Sequence, residues 1–126
     1  MSDVDVPAAD NLRAWAKGIY TSEAACELLI RAFGGRFANP GHPWVAPGDP
    51  GAVWVDFAAI TDTNIAALSG GEQRVLRVVA SLGGGVSVDL NDAVTGLDQV
   101  TSELVLAAIA HASGWRLYPW PNRGVQ

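Results

Sequence analysis

The sequence is short of cysteine, lysine and charge. Cys26 is its only cysteine, so no disulfide can form within the chain and a reducing compartment is expected. Charged residues make up 17% of the 126 residues, against about 25% in an average domain. A surface so poor in charge leaves apolar area for a partner to cover. Lys17 is the one lysine, and Arg13, Arg31, Arg36, Arg74, Arg77, Arg116 and Arg123 are scattered along a chain of net charge −5. Nucleic-acid binding needs a basic stripe that tracks phosphates, so no nucleic-acid partner is expected. Long apolar runs are missing too. The longest, Leu104 to Ala110, is far too short to span a bilayer. Met1 to Asp10 carries acids and no apolar core, unlike a secretory signal. The expectation is a cytoplasmic protein with no membrane partner.

What is present is apolar and aromatic. Hydrophobic residues are 49% of the chain, and a chain of this length buries roughly two-thirds of its unfolded surface without metal or disulfide. Five tryptophans, Trp15, Trp44, Trp54, Trp115 and Trp120, are many for its size. Tryptophan serves either to fill cores or to anchor interfaces.

Residues 1–7 read as a loose tail and 8–126 as a single globular domain. Leu12, Trp15, Ala16 and Ile19 recur at helical spacing, with Asp10 as the cap. Ser22 can cap a second helix with Cys26, Leu29, Ile30 and Phe33 on its apolar stripe and Glu23, Glu27 and Arg31 opposite, ended by Gly34-Gly35. Trp44-Val45-Ala46 and Ala52-Val53-Trp54-Val55 flank a Pro-Gly-rich turn and read as a β-hairpin, with Val53, Val55 and Phe57 facing one way and Trp54 and Asp56 the other. A short helix over 63–68 precedes a longer one from Ser69 to about Leu82, stopped by Gly83-Gly84-Gly85. Asn91 can cap a helical turn, and Asp98 a last helix over 99–112. Its stretch 104–110 is apolar nearly all round and so predicts burial in the middle of the domain. The fold class expected is α+β, mainly helical: about four helices around a buried C-terminal helix, with a small antiparallel hairpin.

Leu68-Ser69-Gly70-Gly71-Glu72-Gln73-Arg74 resembles the signature motif of the ABC ATPases, and Asn91-Asp92 with Thr95-Gly96-Leu97-Asp98 resembles that family's Asp-Glu pair and D-loop. In that family the signature serine and glycines contact ATP held by a partner subunit. The rest of the nucleotide apparatus is not in the chain. A phosphate-cradling loop ends in Gly-Lys-Ser/Thr, whereas Lys17 follows Trp15-Ala16 and precedes Gly18-Ile19. Asn91 stands where a magnesium-binding aspartate is required. The same residues read directly as a capping box, Ser69 and Glu72 each accepting the other's backbone N–H. The chain also resembles a family of short uncharacterised proteins from high-GC actinobacteria. The blocks Glu23-Ala24-Ala25, Glu27 to Ile30, Leu68 to Glu72, Thr95 to Asp98 and Leu104 to Ala112 carry that likeness, which implies no function.

Three functional readings follow. The first is a non-catalytic protein-binding or adaptor protein, partnered by another protein or by itself as a homodimer, with Arg36, His42, Trp44, Trp54 and Trp120 at its surface. The second is anion or nucleotide binding by Ser69, Gly70 and Gly71 at a helix N-terminus, where the charge of Glu72 competes. The third is a small thiol enzyme using Cys26 and His42 with an acid such as Asp56. Against it, Cys26 falls on an apolar stripe, where a thiol packs as a small hydrophobe. A winged-helix DNA binder has the right order of elements but wants a basic recognition helix. His111, in the last turn of its helix, is expected to complement the carbonyl end. The C-terminal stretch Trp115 to Arg123 is expected either to fold back as an edge strand beside the hairpin or to dock on another chain. No metal site or cofactor is expected.

Overall fold

The computed structural model describes residues 6–48 and 52–121. Its elements run α1 (Val6–Ala16), α2 (Tyr20–Arg31), β1 (Val45–Pro47), β2 (Val53–Val55), α3 (Asp62–Ile65), α4 (Gly70–Gly84), α5 (Leu90–Val94) and α6 (Gln99–Ala112), with 3-10 turns at Ala32–Ala38 and Phe57–Ala59. The protein is therefore mainly helical α+β, with one small antiparallel hairpin.

The packing centre is α2. It meets α1, α4 and α6, and Ala24, Ala25, Leu28 and Leu29 are all buried. Its two small alanines let neighbouring helices approach, and each leucine fully removed from water stabilises the fold by about 1.5–3 kcal/mol. Leu12 and Ala16 come from α1, Val75, Leu76 and Val79 from α4, and Leu104, Val105 and Ala108 from α6, all joining one core. Val78 of α4 is buried as well.

The apolar composition of α6 predicts burial all round, yet only one face is covered. Leu106 is 55% exposed and Ile109 43%. The contacts of α6 with α2 and α4 leave that side about half open to solvent.

Helix starts differ from expectation where the cap lies outside the local pattern. Asp10 stands inside α1, which begins at Val6. Helix α2 begins at Tyr20 after Ile19, which makes no side-chain cap. Glu23 instead reaches back to the Gly18 amide at 2.8 Å. The cap of α5 is Asp89, not Asn91: its carboxylate accepts from the Asn91 and Asp92 amides. Asp98 caps α6 as expected, accepting from the Thr101 amide at 2.8 Å. Gly34 and Gly35 take positive φ as a helix stop requires, but Phe33 joins them in the left-handed region, so α2 ends earlier, at Arg31.

The hairpin pairs Val45 with Val55, Ala46 with Trp54 and Pro47 with Val53. Val55 points into the core and Trp54 away from it, as alternation requires. The middle of the turn, residues 49–51, lies outside the described residues, as does the N-terminal stretch 1–5. Beyond β2, Phe57 lies against the last turn of α4. A Cβ on Gly83 would overlap its ring, and one on Gly84 would stand 2.7 Å from its Cβ. Of the three consecutive glycines only Gly85, at φ 70°, is the left-handed stop. The other two are helical and make room for a ring.

Among the described residues, the C-terminal stretch 115–121 forms no edge strand. Pro119 and Pro121 cannot donate to a ladder, and the segment turns back toward α2. The Arg31 guanidinium lies 5.1 Å from the Trp120 ring centroid, and Arg31 also donates to the Pro121 carbonyl at 3.5 Å. Arg123, in the segment after 121, lies outside the described residues.

Candidate functional site

The turn that resembles an ATPase signature is a closed hydrogen-bond unit. The Ser69 hydroxyl accepts from the Glu72 amide at 3.2 Å, and Glu72 Oε1 accepts from the Ser69 amide at 3.0 Å. The other carboxylate oxygen of Glu72 pairs with the Arg36 guanidinium. Over Gly70 lies the side chain of Arg74, which donates to the Asp92 carbonyl at 3.0 Å. The N-terminus of α4 thus already holds a carboxylate, supplied by its own third residue. Arg36 ties the 3-10 turn to α4 and also lies 4.9 Å from the Phe37 ring centroid.

The parts of a thiol enzyme are not brought together. His42 stacks on Trp44, ring centroids 4.9 Å apart and planes 5° from parallel. Its Nε2 is 3.0 Å from the Arg36 carbonyl. Cys26 lies elsewhere, in a cleft of about 260 Å³ to which neither His42 nor Asp56 contributes. Burial, aided by the charge of Glu27, pushes its thiol up to about 12. Such a thiol holds its proton and is a poor nucleophile.

That cleft lies between α1, α2 and α6. One wall is Arg13 and Ala16 of α1 with Lys17 just after it; the other walls are Glu23, Cys26, Glu27 and His111. Glu27 accepts from Arg13 and, at 2.7 Å, from Arg31. Burial opposes its ionisation, but the two guanidinium hydrogen bonds outweigh this and hold its carboxyl below the usual range. The bond to Glu27 in turn raises the pKa of Arg13. Glu23 is held low first by the Gly18 N–H and then by His111, whose Nε2 lies 2.7 Å from Glu23 Oε1. His111 therefore does not serve the carbonyl end of its own helix alone. It ties α6 to α2.

The tryptophans divide into core and surface. Trp44 is 1% exposed, and its indole N–H donates to the Phe37 carbonyl at 2.8 Å. Expected at the binding surface, it belongs to the core instead, where its ring packs between Phe37 and His42 and its N–H is satisfied. Trp120 is half-buried on Arg31 and beside His111. Trp54 alone of the expected aromatic contacts stands open, at 38% exposed, and it is joined by Trp15 at 42%. Their ring centroids are 6.3 Å apart, and Phe57 supports Trp15 from below at 6.1 Å. Trp15 carries no sequence signal for this role, since its neighbours Leu12 and Ala16 are core and its partner comes from the hairpin.

No protein-family model matches the chain, and neither a curated protein nor a solved structure is significantly similar to it. No helix among the described residues is long and apolar enough to cross a membrane.

Proposed function

We propose that this protein is a non-catalytic binding domain that docks on another protein through the surface made by Trp15 and Trp54. One observation carries the reading: two indoles from different elements, 6.3 Å apart, are both substantially open to solvent. Leaving about two-fifths of each of two large apolar side chains in water forfeits part of the stabilisation that burial supplies. Interfaces recover it, and tryptophan is the residue most enriched among their strongest contacts.

The surface is also ordered in advance. Trp15 is fixed on α1, which packs on β2, and Trp54 is fixed in the ladder opposite Ala46. Phe57 beneath them rests on the glycine seat of α4. Rigid anchors lose little entropy when a partner arrives. The low charge of the chain favours the same reading. Arg36, His42 and Trp120 already have partners within the chain, so they belong at most to the margin of this surface. The cytoplasm is the location we propose, since a single buried thiol suits a reducing compartment.

The test compares the native chain with a Trp15→Ser/Trp54→Ser double variant as bait in lysate of its own cells. A protein retained by the native chain and lost from the folded double variant supports the proposal. Equal recovery by both chains contradicts it.

A further inference from the structure

We propose that the cleft between α1, α2 and α6 is a second binding site, and that it takes a small organic carboxylate, held at the head by Lys17 and Arg13 and lying with its short apolar body on Ala16 and Cys26.

The argument is an account of donors and acceptors. Both oxygens of Glu27 are committed, one to Arg13 and one to Arg31. Both oxygens of Glu23 are committed as well, one to His111 and one to the Gly18 amide. The acidic wall is therefore satisfied from within. The basic wall is not. The Lys17 ammonium, with three donors, has no hydrogen-bond or ion-pair partner among the described residues. Arg13 spends its Nε on Glu27, but its terminal nitrogens are held only loosely, at 3.5 Å from Glu27 and 3.9 Å from Asp10. Each of these nitrogens carries a second N–H beyond its acidic contact, and that pair of donors with the unpartnered ammonium matches the two oxygens of a carboxylate.

The floor and the volume limit the rest of the ligand. Ala16 and the protonated Cys26 thiol offer apolar contact. A volume of about 260 Å³ falls below the roughly 300–1,000 Å³ of clefts that hold drug-sized molecules. The ligand is accordingly an acid of a few carbons. Its charge is limited too. A doubly charged phosphate would set two negative charges against one unpaired ammonium, with Glu23 and Glu27 close by. A monoanion meets that cation one to one.

The experiment is an amide NMR titration of the full chain with butyrate, with inorganic phosphate and butylamine in parallel. Saturable shifts with butyrate, centred on Lys17, Gly18, Cys26 and His111, are expected, with weaker binding of phosphate and none of butylamine. Lys17→Gln should weaken butyrate at least about fivefold, and Lys17→Arg should restore most of it. Lys17 is exposed, so an otherwise unchanged spectrum shows that the variant folds. Shifts that never saturate, equal affinity for phosphate, or undiminished affinity in Lys17→Gln would each overturn the proposal.

Discussion

Glu23 Oε1 stands 2.7 Å from His111 Nε2, joining the first turn of α2 to the last turn of α6. The second oxygen of the same carboxylate accepts the Gly18 amide. One side chain therefore fixes the α1–α2 corner and the end of the C-terminal helix together.

This arrangement sets a pH dependence. The Gly18 N–H, and after it His111, lower the Glu23 pKa below its ordinary value. A carboxyl depressed in the folded state contributes stability above its unfolded pKa, near 4, and loses it as the pH falls through the folded value. Glu23→Gln should be less stable than the native chain at about pH 7, by roughly 1 kcal/mol, because the carboxylate is partly exposed and its hydrogen bonds are partly screened by water. The gap should close in acid, below about pH 4. Urea midpoints across that range check it. A gap that persists or widens in acid contradicts the assignment.

Two glycines of α4 should respond to the same substitution with opposite signs. A Cβ on Gly71 meets nothing within 4 Å, whereas one on Gly83 collides with the Phe57 ring. Gly71→Ala should stabilise by about 0.5–1 kcal/mol, the usual helical gain. Gly83→Ala should destabilise by about 1–3 kcal/mol through overpacking. Thermal melts of the two single variants, with Phe57→Leu added to Gly83→Ala, provide the measurement. The smaller side chain should reduce the penalty at Gly83.

Cys26 should behave as a core residue. A thiol raised to about 12 carries a thiolate population roughly a thousandfold below that of an exposed cysteine. Iodoacetamide should label the folded chain slowly at about pH 8 and the urea-unfolded chain rapidly. Fast labelling of the native state would return the thiol enzyme to consideration.

Features within a few residues of each other were readable from the sequence. Ser69 with Glu72, and Asp98 with Thr101, cap their helices through contacts three residues long, and the alternation around Trp54 placed it opposite Val55. Features requiring two elements to meet were not. Trp15 finds Trp54 only because α1 packs on β2, and Glu23 finds His111 only across the α2–α6 contact. Trp44 and Trp54 flank the same hairpin with nothing local to say which face meets the core. Gly83 and Gly84 looked like part of a helix stop because the ring they accommodate comes from Phe57, far earlier in the chain. Cys26 was legible as a core residue from its place on the apolar stripe of α2, and it is buried there.

The most direct measurement is photo-crosslinking in the cell from a benzoylphenylalanine placed at Trp54, with exposed Thr63 as the control position. A discrete product from position 54, absent from position 63 and lost when Trp15→Ser is added, is the predicted result. Its mass distinguishes a second copy of this chain from a different protein. Identical patterns from both positions would contradict a docking role for the Trp15–Trp54 surface.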